Sequence, residues 1–143
     1  MSDFITLSLD VMSGEKDPEA SINAALNLLE LREDIRIFLV GDKDIIKQQT
    51  SGKTGDRLQI VHAKEIVEMN DPPVVVLRQK KQSSMRLAVD LVKDGVAQAC
   101  ISSGSTGALM AISKYALKTI PSIDRPALMT SIPTIKDSTY FLD

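Results

Sequence analysis

Ala97-Gln98-Ala99-Cys100-Ile101-Ser102-Ser103-Gly104-Ser105-Thr106-Gly107-Ala108 changes character halfway along. Its first half, Ala97 to Ser102, is an uncharged run of the length and kind that a buried strand uses. Its second half is small, hydroxyl-bearing and glycine-rich. A helical apolar period follows from about Ser105 to Thr119 through Leu109, Ile112 and Ala116, and Pro121 ends it. A strand that feeds a helix through a tight loop is half of a parallel crossover, because parallel neighbours need a long connection between them.

The same alternation extends towards the N-terminus. Ile5 to Leu9 reads as a first strand with Ile5, Leu7 and Leu9 on one face. Asp17-Pro18 starts a helix, with an acceptor side chain at the cap and proline where its missing N–H is harmless. Ile22, Ala25, Leu26 and Leu29 give that helix a buried stripe. Ile35 to Val40 is a second strand, closed by Gly41-Asp42, which caps a short helix from Lys43 to about Gln49. Thr50 to Gly55 is a polar, exposed turn, and Leu58, Ile60 and Val61 make a third strand that closes on His62. Met69 to Gln82 is irregular, and Asp71-Pro72-Pro73 excludes helix there. Ser83 caps a helix to Asp94, with Met85, Ala88 and Val92 on one face, Leu87 and Leu91 beside them, and Gly95 as a left-handed terminator. Ala127 to Ile132 and Thr139 to Leu142 read as two final strands. The order predicts a three-layer α/β/α fold with a mainly parallel sheet. Residues 1–143 are expected to be the N-terminal part of a single α/β catalytic domain, incomplete at the C-terminus, since an apolar strand ends the sequence with no helix after it.

Composition narrows the function. With 43% hydrophobic and 25% charged residues in 143, the chain has ordinary globular make-up and enough length to bury a core. A net charge of -2 and only 3% aromatics, with no Trp, argue against a nucleic-acid surface. Cys100 is the sole cysteine, so no disulfide forms within the chain, and the pattern fits a reducing cytosol. No apolar run approaches the roughly 20 residues of a membrane span, and Met1-Ser2-Asp3-Phe4 lacks the basic start of a secretory signal. The expectation is a soluble cytoplasmic protein.

Ligands of open parallel sheets bind beyond the carboxyl ends of the strands. Two loops occupy that position, Asp10-Val11-Met12-Ser13-Gly14 and Ser102 to Ala108. The second suits an anion: glycines admit close backbone approach, hydroxyls donate hydrogen bonds, and a following helix offers free N–H groups. It is neither a P-loop nor a dinucleotide fingerprint, and the same composition suits a tight strand-to-helix turn. Asp10 is the acidic residue best placed at a strand end. Arg78, Lys80, Lys81 and Arg86 form the one concentrated basic stretch, either a solvated face or an attractor of phosphate or an acidic partner. His62, the sole histidine, reads as a packing or surface residue, and Cys100 as inert mid-strand packing. No cluster has metal-ligand spacing, and no metal is expected.

Read together, several blocks resemble the bacterial phosphate acyltransferase family of fatty acid and phospholipid synthesis. They are Asp10 to Gly14 with Pro18, Leu39-Val40-Gly41-Asp42, Ile66 to Pro73, Arg78 to Arg86, Ser103 to Ala108, and Ile123-Asp124-Arg125-Pro126-Ala127. Lys80-Lys81-Gln82-Ser83-Ser84-Met85 combined with the Gly104 to Ala108 loop is the most specific pairing. The resemblance implies an isopropylmalate-dehydrogenase-like fold and a homodimer without organic cofactor, cytosolic, with peripheral membrane association in some members. It implies transfer of a long-chain acyl group from acyl carrier protein to inorganic phosphate. On that reading Asp10, Ser105 and Thr106 are catalytic; Ser13, Gly14, Ser103, Gly104 and Gly107 bind phosphate or substrate; and Arg78, Lys80, Lys81 and Arg86 dock the acidic carrier. The chain departs from the family pattern at Val11, Ser13 and Glu15 in the first loop and at Ser105, where the family usually has Asn. The alternatives are a non-catalytic phosphate- or nucleotide-binding module using the same loop, and a purely structural half-sheet.

Overall fold

The computed structural model describes residues 4–143; the first three residues, part of the expected non-signal N-terminus, lie outside the described residues. Four strands form a parallel sheet in the order β3-β2-β1-β4: β1 (Ile5–Asp10), β2 (Ile35–Gly41), β3 (Leu58–His62) and β4 (Ala99–Ser102). Between them run the helices α1 (Pro18–Leu31), α2 (Lys43–Gln49), α3 (Pro73–Gln79) and α4 (Ser84–Lys93), and α5 (Thr106–Leu117) follows β4. The expected α/β architecture with helices flanking a parallel sheet is therefore present.

Alternation along β1 separates the two faces. Leu7 and Leu9 turn towards α1, where Ile22, Ala25 and Leu29 join Ile35, Ile37 and Leu39 in one apolar cluster. Ile5, Leu7 and Leu9 share one face as expected, while Thr6, Ser8 and Asp10 turn the other way and are the more deeply buried set. The reason is α4, which lies directly over β1; the Ser8 hydroxyl donates to the Ala88 carbonyl at 2.7 Å. α4 and α5 pack through Val67, Val76, Met85, Val89, Ala108 and Ile112. Each such fully buried aliphatic side chain contributes about 1.5–3 kcal/mol.

The structure corrects several local expectations. The Pro-Pro pair begins α3 instead of excluding it, because Pro72 stands at the cap and Pro73 in the first turn, where no N–H is needed. Asp17 caps α1 without a side-chain bond, and the Ala20 N–H goes to its carbonyl instead. Val89, not Val92, is the buried partner of Met85 and Ala88 on α4. β4 is shorter than predicted, and its Ala99 and Ile101 are exposed, since α1 stops short of covering the sheet edge. An apolar groove of about 290 Å³ remains there, lined by Leu7, Leu9, Leu28 and Ile101 with Ser102 and Ser103 at one end. β5 (Met129–Pro133) and β6 (Ser138–Leu142) form a separate antiparallel hairpin, exposed on both faces.

Candidate functional site

Strand order reverses between β1 and β4: β2 and β3 lie to one side of β1, and β4 to the other. Crossovers leave such a switch point in opposite directions and open a crevice at the carboxyl ends of its strands. The register pairs Asp10 with Ser102, so the two loops singled out in the sequence start side by side.

Asp10 clasps them together. One of its carboxylate oxygens accepts the Met12 and Ser13 N–H groups, each at 3.2 Å, and the other accepts the Ser102 hydroxyl at 2.7 Å. Ser102 Oγ in turn accepts the Gly104 N–H at 3.2 Å, and the Ser103 hydroxyl donates to the Ser13 carbonyl at 3.0 Å. Glycine is required twice by this contact. Gly14 has φ +114, and a Cβ there would lie 2.6 Å from Ser103 Oγ. A Cβ on Gly104 would lie 2.6 Å from both Ser13 Cβ and Met85 Cε.

Asp10 is fully buried and occupied by three donors, which ties the two loops together. The Gly104 N–H is engaged by Ser102 and is not a free phosphate donor; Gly104 supplies space. The free donors lie one step further on. Ser105 caps α5, its hydroxyl accepting the Ala108 N–H at 3.4 Å. The N–H groups of Ser105, Thr106 and Gly107 have no acceptor among the described residues. Thr106 and Gly107 are exposed, and Ser105 and Ser103 are at least partly so. Three unengaged amides at the positive end of a twelve-residue helix form a cradle for an anion.

The basic stretch divides. Lys80 is ion-paired to Asp71 and donates to the Ile66 carbonyl at 2.7 Å. That pairing, together with the Glu68 N–H, holds the Asp71 carboxyl below the usual carboxylate range. Arg86 pairs with Asp90 at 3.0 Å one turn along α4 and stacks on Tyr115, 5.1 Å from the ring centroid. These two cations are engaged within the chain, where they brace α3, α4 and α5. Arg78 and Lys81 are exposed and make no ion pair among the described residues, as do Lys114 and Lys118 of α5. The uncharged centre of the stretch was missed as a site element. Ser83, Ser84 and Met85 are fully buried, and Met85 reaches the Gly104 loop. Its signal was present: a capping serine followed by two uncharged residues inside a basic run.

The remaining candidates are quiet. Burial pushes the Cys100 thiol up to about 11, well away from a reactive thiolate. His62 is exposed, and its Nδ1 accepts the Lys43 N–H at 3.3 Å, helping to start α2. Among the described residues no group of three His, Cys, Asp or Glu could hold a metal ion, and no helix is long and apolar enough to cross a membrane. A hollow of about 770 Å³ opens at the opposite, amino end of the sheet beside Phe4, Arg36 and Arg57. No strand-end loop enters it, so we place no chemistry there.

The model of the family described as "Fatty acid synthesis protein" matches residues 5–143. A protein named "Phosphate acyltransferase" from Methylococcus capsulatus is 49% identical over 141 residues, covering 96% of this chain and 42% of its own length. One of the same name from Shewanella sediminis is 49% identical over 143 residues, with 97% and 42% covered. Another, from Hydrogenovibrio crunogenus, is 48% identical over 141 residues, with 97% and 42% covered. The chain thus spans about two fifths of the length of these curated relatives. A family model matched from β1 to β6 identifies the chain as a member of the fatty acid synthesis protein family.

Proposed function

We propose that the protein transfers a long-chain acyl group from acyl carrier protein to inorganic phosphate, giving the acyl phosphate used in phospholipid synthesis. The observation that carries this reading is the set of unengaged N–H groups on Ser105, Thr106 and Gly107, held at the sheet's switch point by the Asp10–Ser102 clasp. The names of the relatives support it, since a phosphate acyltransferase must hold a phosphate against an acyl donor.

The chemistry asks little of acids and bases. A phosphate oxygen attacks the thioester carbonyl carbon, the new C–O bond forms, and the C–S bond breaks as the tetrahedral oxyanion collapses. The carrier leaves as a thiolate and takes the proton carried by the attacking hydrogen phosphate. Fixed amides lower the barrier by meeting charge that develops on oxygen, an effect of about 3–4 kcal/mol per donor in comparable sites. Ser105 and Thr106 act through their amides and hydroxyls at this point, while Ser13, Gly14, Ser103, Gly104 and Gly107 shape or line the phosphate position. Orientation of two reactants accounts for the larger share of rate. Arg78 and Lys81, with Lys114 and Lys118, offer charge that steers an acidic carrier. The exposed Met129, Tyr140, Phe141 and Leu142 of the β5–β6 hairpin support a covering surface such as a homodimer's; on this reading the enzyme works in the cytoplasm, peripheral to the membrane that receives the product.

The test is phosphate-dependent release of carrier thiol from acyl carrier thioester, using protein of the full length its relatives have. Release that ignores phosphate, or none from well-folded protein, rejects the reading. One observation favours a second reading, a phosphate- or nucleotide-binding module without turnover: the only carboxylate at the two loops that form the cradle, Asp10, is fully engaged. Calorimetry that detects nucleotide binding but no thiol release would select it.

A further inference from the structure

We propose that the N-terminus of α4 is a second wall of the phosphate site and that the Ser84 hydroxyl, with Ser13, is a direct ligand of the bound oxyanion. This rests on the phosphate reading above and adds residues that it does not use. Ser83 caps α4, accepting the Arg86 N–H at 3.3 Å and donating its own proton to the Lys80 carbonyl at 2.8 Å. Ser84 is the first helical residue, and its N–H goes to the Glu65 carbonyl. The next amide, on Met85, has no acceptor among the described residues.

Two buried hydroxyls in the described chain have no hydrogen-bond partner, and they are Ser13 Oγ and Ser84 Oγ. Both residues are at least 98% buried, at 2% and 0% exposure. An unsatisfied buried hydroxyl is destabilising and calls for an explanation, of which a missing ligand is one. Their placement favours that explanation. A Cβ on Gly104 would touch Ser13 on one side and Met85 on the other, so the cradle loop sits between the two segments that carry the hydroxyls. The register agrees. Ser8 is bonded to Ala88, and from there Asp10 is two residues up β1, about 6.6 Å. Ser84 is four residues back along α4, about 6 Å towards the same end. Ser84 therefore stands over the end of β1, at the level of the clasp. Two helix N-termini, of ten and twelve residues, then flank the Gly104 loop, and the segments around it carry two unpartnered hydroxyls and at least four unengaged amides among the described residues. The ligand that satisfies such a set is a compact tetrahedral oxyanion, and inorganic phosphate is the probe.

The experiment titrates inorganic phosphate into the chain by calorimetry at constant ionic strength, and compares wild type with Ser84→Ala. The expected result pairs opposite signs. Phosphate affinity falls about tenfold, as for loss of a hydrogen bond to a charged group, while the unfolding temperature without phosphate is unchanged or higher. Ser84→Cys, which keeps the volume and loses the strong donor, should weaken phosphate in the same way if the alanine variant does not fold. Equal affinity in wild type and variant overturns the inference and leaves the phosphate reading standing. A fall in stability without phosphate that Ser84→Ala and Ser84→Cys share also overturns it, because the hydroxyl is then structural. Failure of folded wild type to bind phosphate overturns both.

Discussion

Replacing Asp10 by Asn separates a positioning carboxylate from a catalytic one. In the wild type the carboxylate accepts from Met12 N–H, Ser13 N–H and Ser102 Oγ at 3.2, 3.2 and 2.7 Å, with no exposure to solvent. Asparagine keeps the volume and one acceptor oxygen, so the two backbone bonds survive in neutral form. Its NH₂ cannot accept the Ser102 proton and instead presents a donor to an oxygen that already accepts the Gly104 N–H. One charge-assisted bond of about 1.5–3 kcal/mol is thus lost and two others are weakened. We expect a loss of about 2–4 kcal/mol in unfolding free energy, read as a lower urea midpoint with unchanged slope. Phosphate affinity should fall with it, since the Ser102–Gly104 link that sets the cradle is disturbed. A catalytic Asp10 predicts the reverse, a chain as stable as wild type that binds phosphate normally and fails only in turnover. Wild-type stability in Asp10→Asn would refute the clasp.

Two further perturbations follow from the same geometry. Gly104→Ala places a methyl 2.6 Å from Ser13 Cβ and Met85 Cε; Met85 can swing aside but Ser13 is fixed by its backbone. The expected overpacking loss is about 1–3 kcal/mol, with phosphate affinity in calorimetry reduced beyond what stability explains; unchanged affinity would count against contact between the loops. Acid should destabilise the fold through Asp42 and Asp71. The Ile45 and Asp44 N–H groups hold Asp42 below its ordinary 3.8, and Lys80 with the Glu68 N–H does the same for Asp71. A depressed folded value means stability that is complete above about pH 4 and disappears as pH falls through the folded values. Urea midpoints from pH 6 to 2.5 should drop less steeply in the Asp42→Asn, Asp71→Asn double variant than in wild type.

Much of the fold was legible because β1, α1, β2, α2 and β3 combine local signals that agree: capping residues, helical stripes and short apolar runs. What escaped was set by tertiary context. The buried face of β1 carries Thr6, Ser8 and Asp10 because α4, placed there by a long crossover, covers them. Nothing local in Ile5 to Asp10 announces that cover. The Pro72-Pro73 pair signals both a break and a helix start, and only the packing of Val76 decides for the latter. At the site, the two loops were recognisable from their glycines and hydroxyls, yet their division of labour was not. Which amides are free depends on the Ser102–Gly104 bond, a contact between a side chain and a backbone two residues away. Likewise, the basic run looked uniform until Asp71 and Asp90 were seen to neutralise Lys80 and Arg86, leaving Arg78 and Lys81 exposed.

The central claim is that backbone amides at the start of α5 bind phosphate. An amide-resolved NMR titration of the ¹⁵N-labelled chain with inorganic phosphate, at fixed ionic strength, tests it most directly. The account predicts saturable shifts concentrated at Ser105, Thr106 and Gly107, with Gly104, already bonded to Ser102, moving less. Shifts that are absent, or that spread evenly over exposed lysines while these three amides stay still, would contradict it.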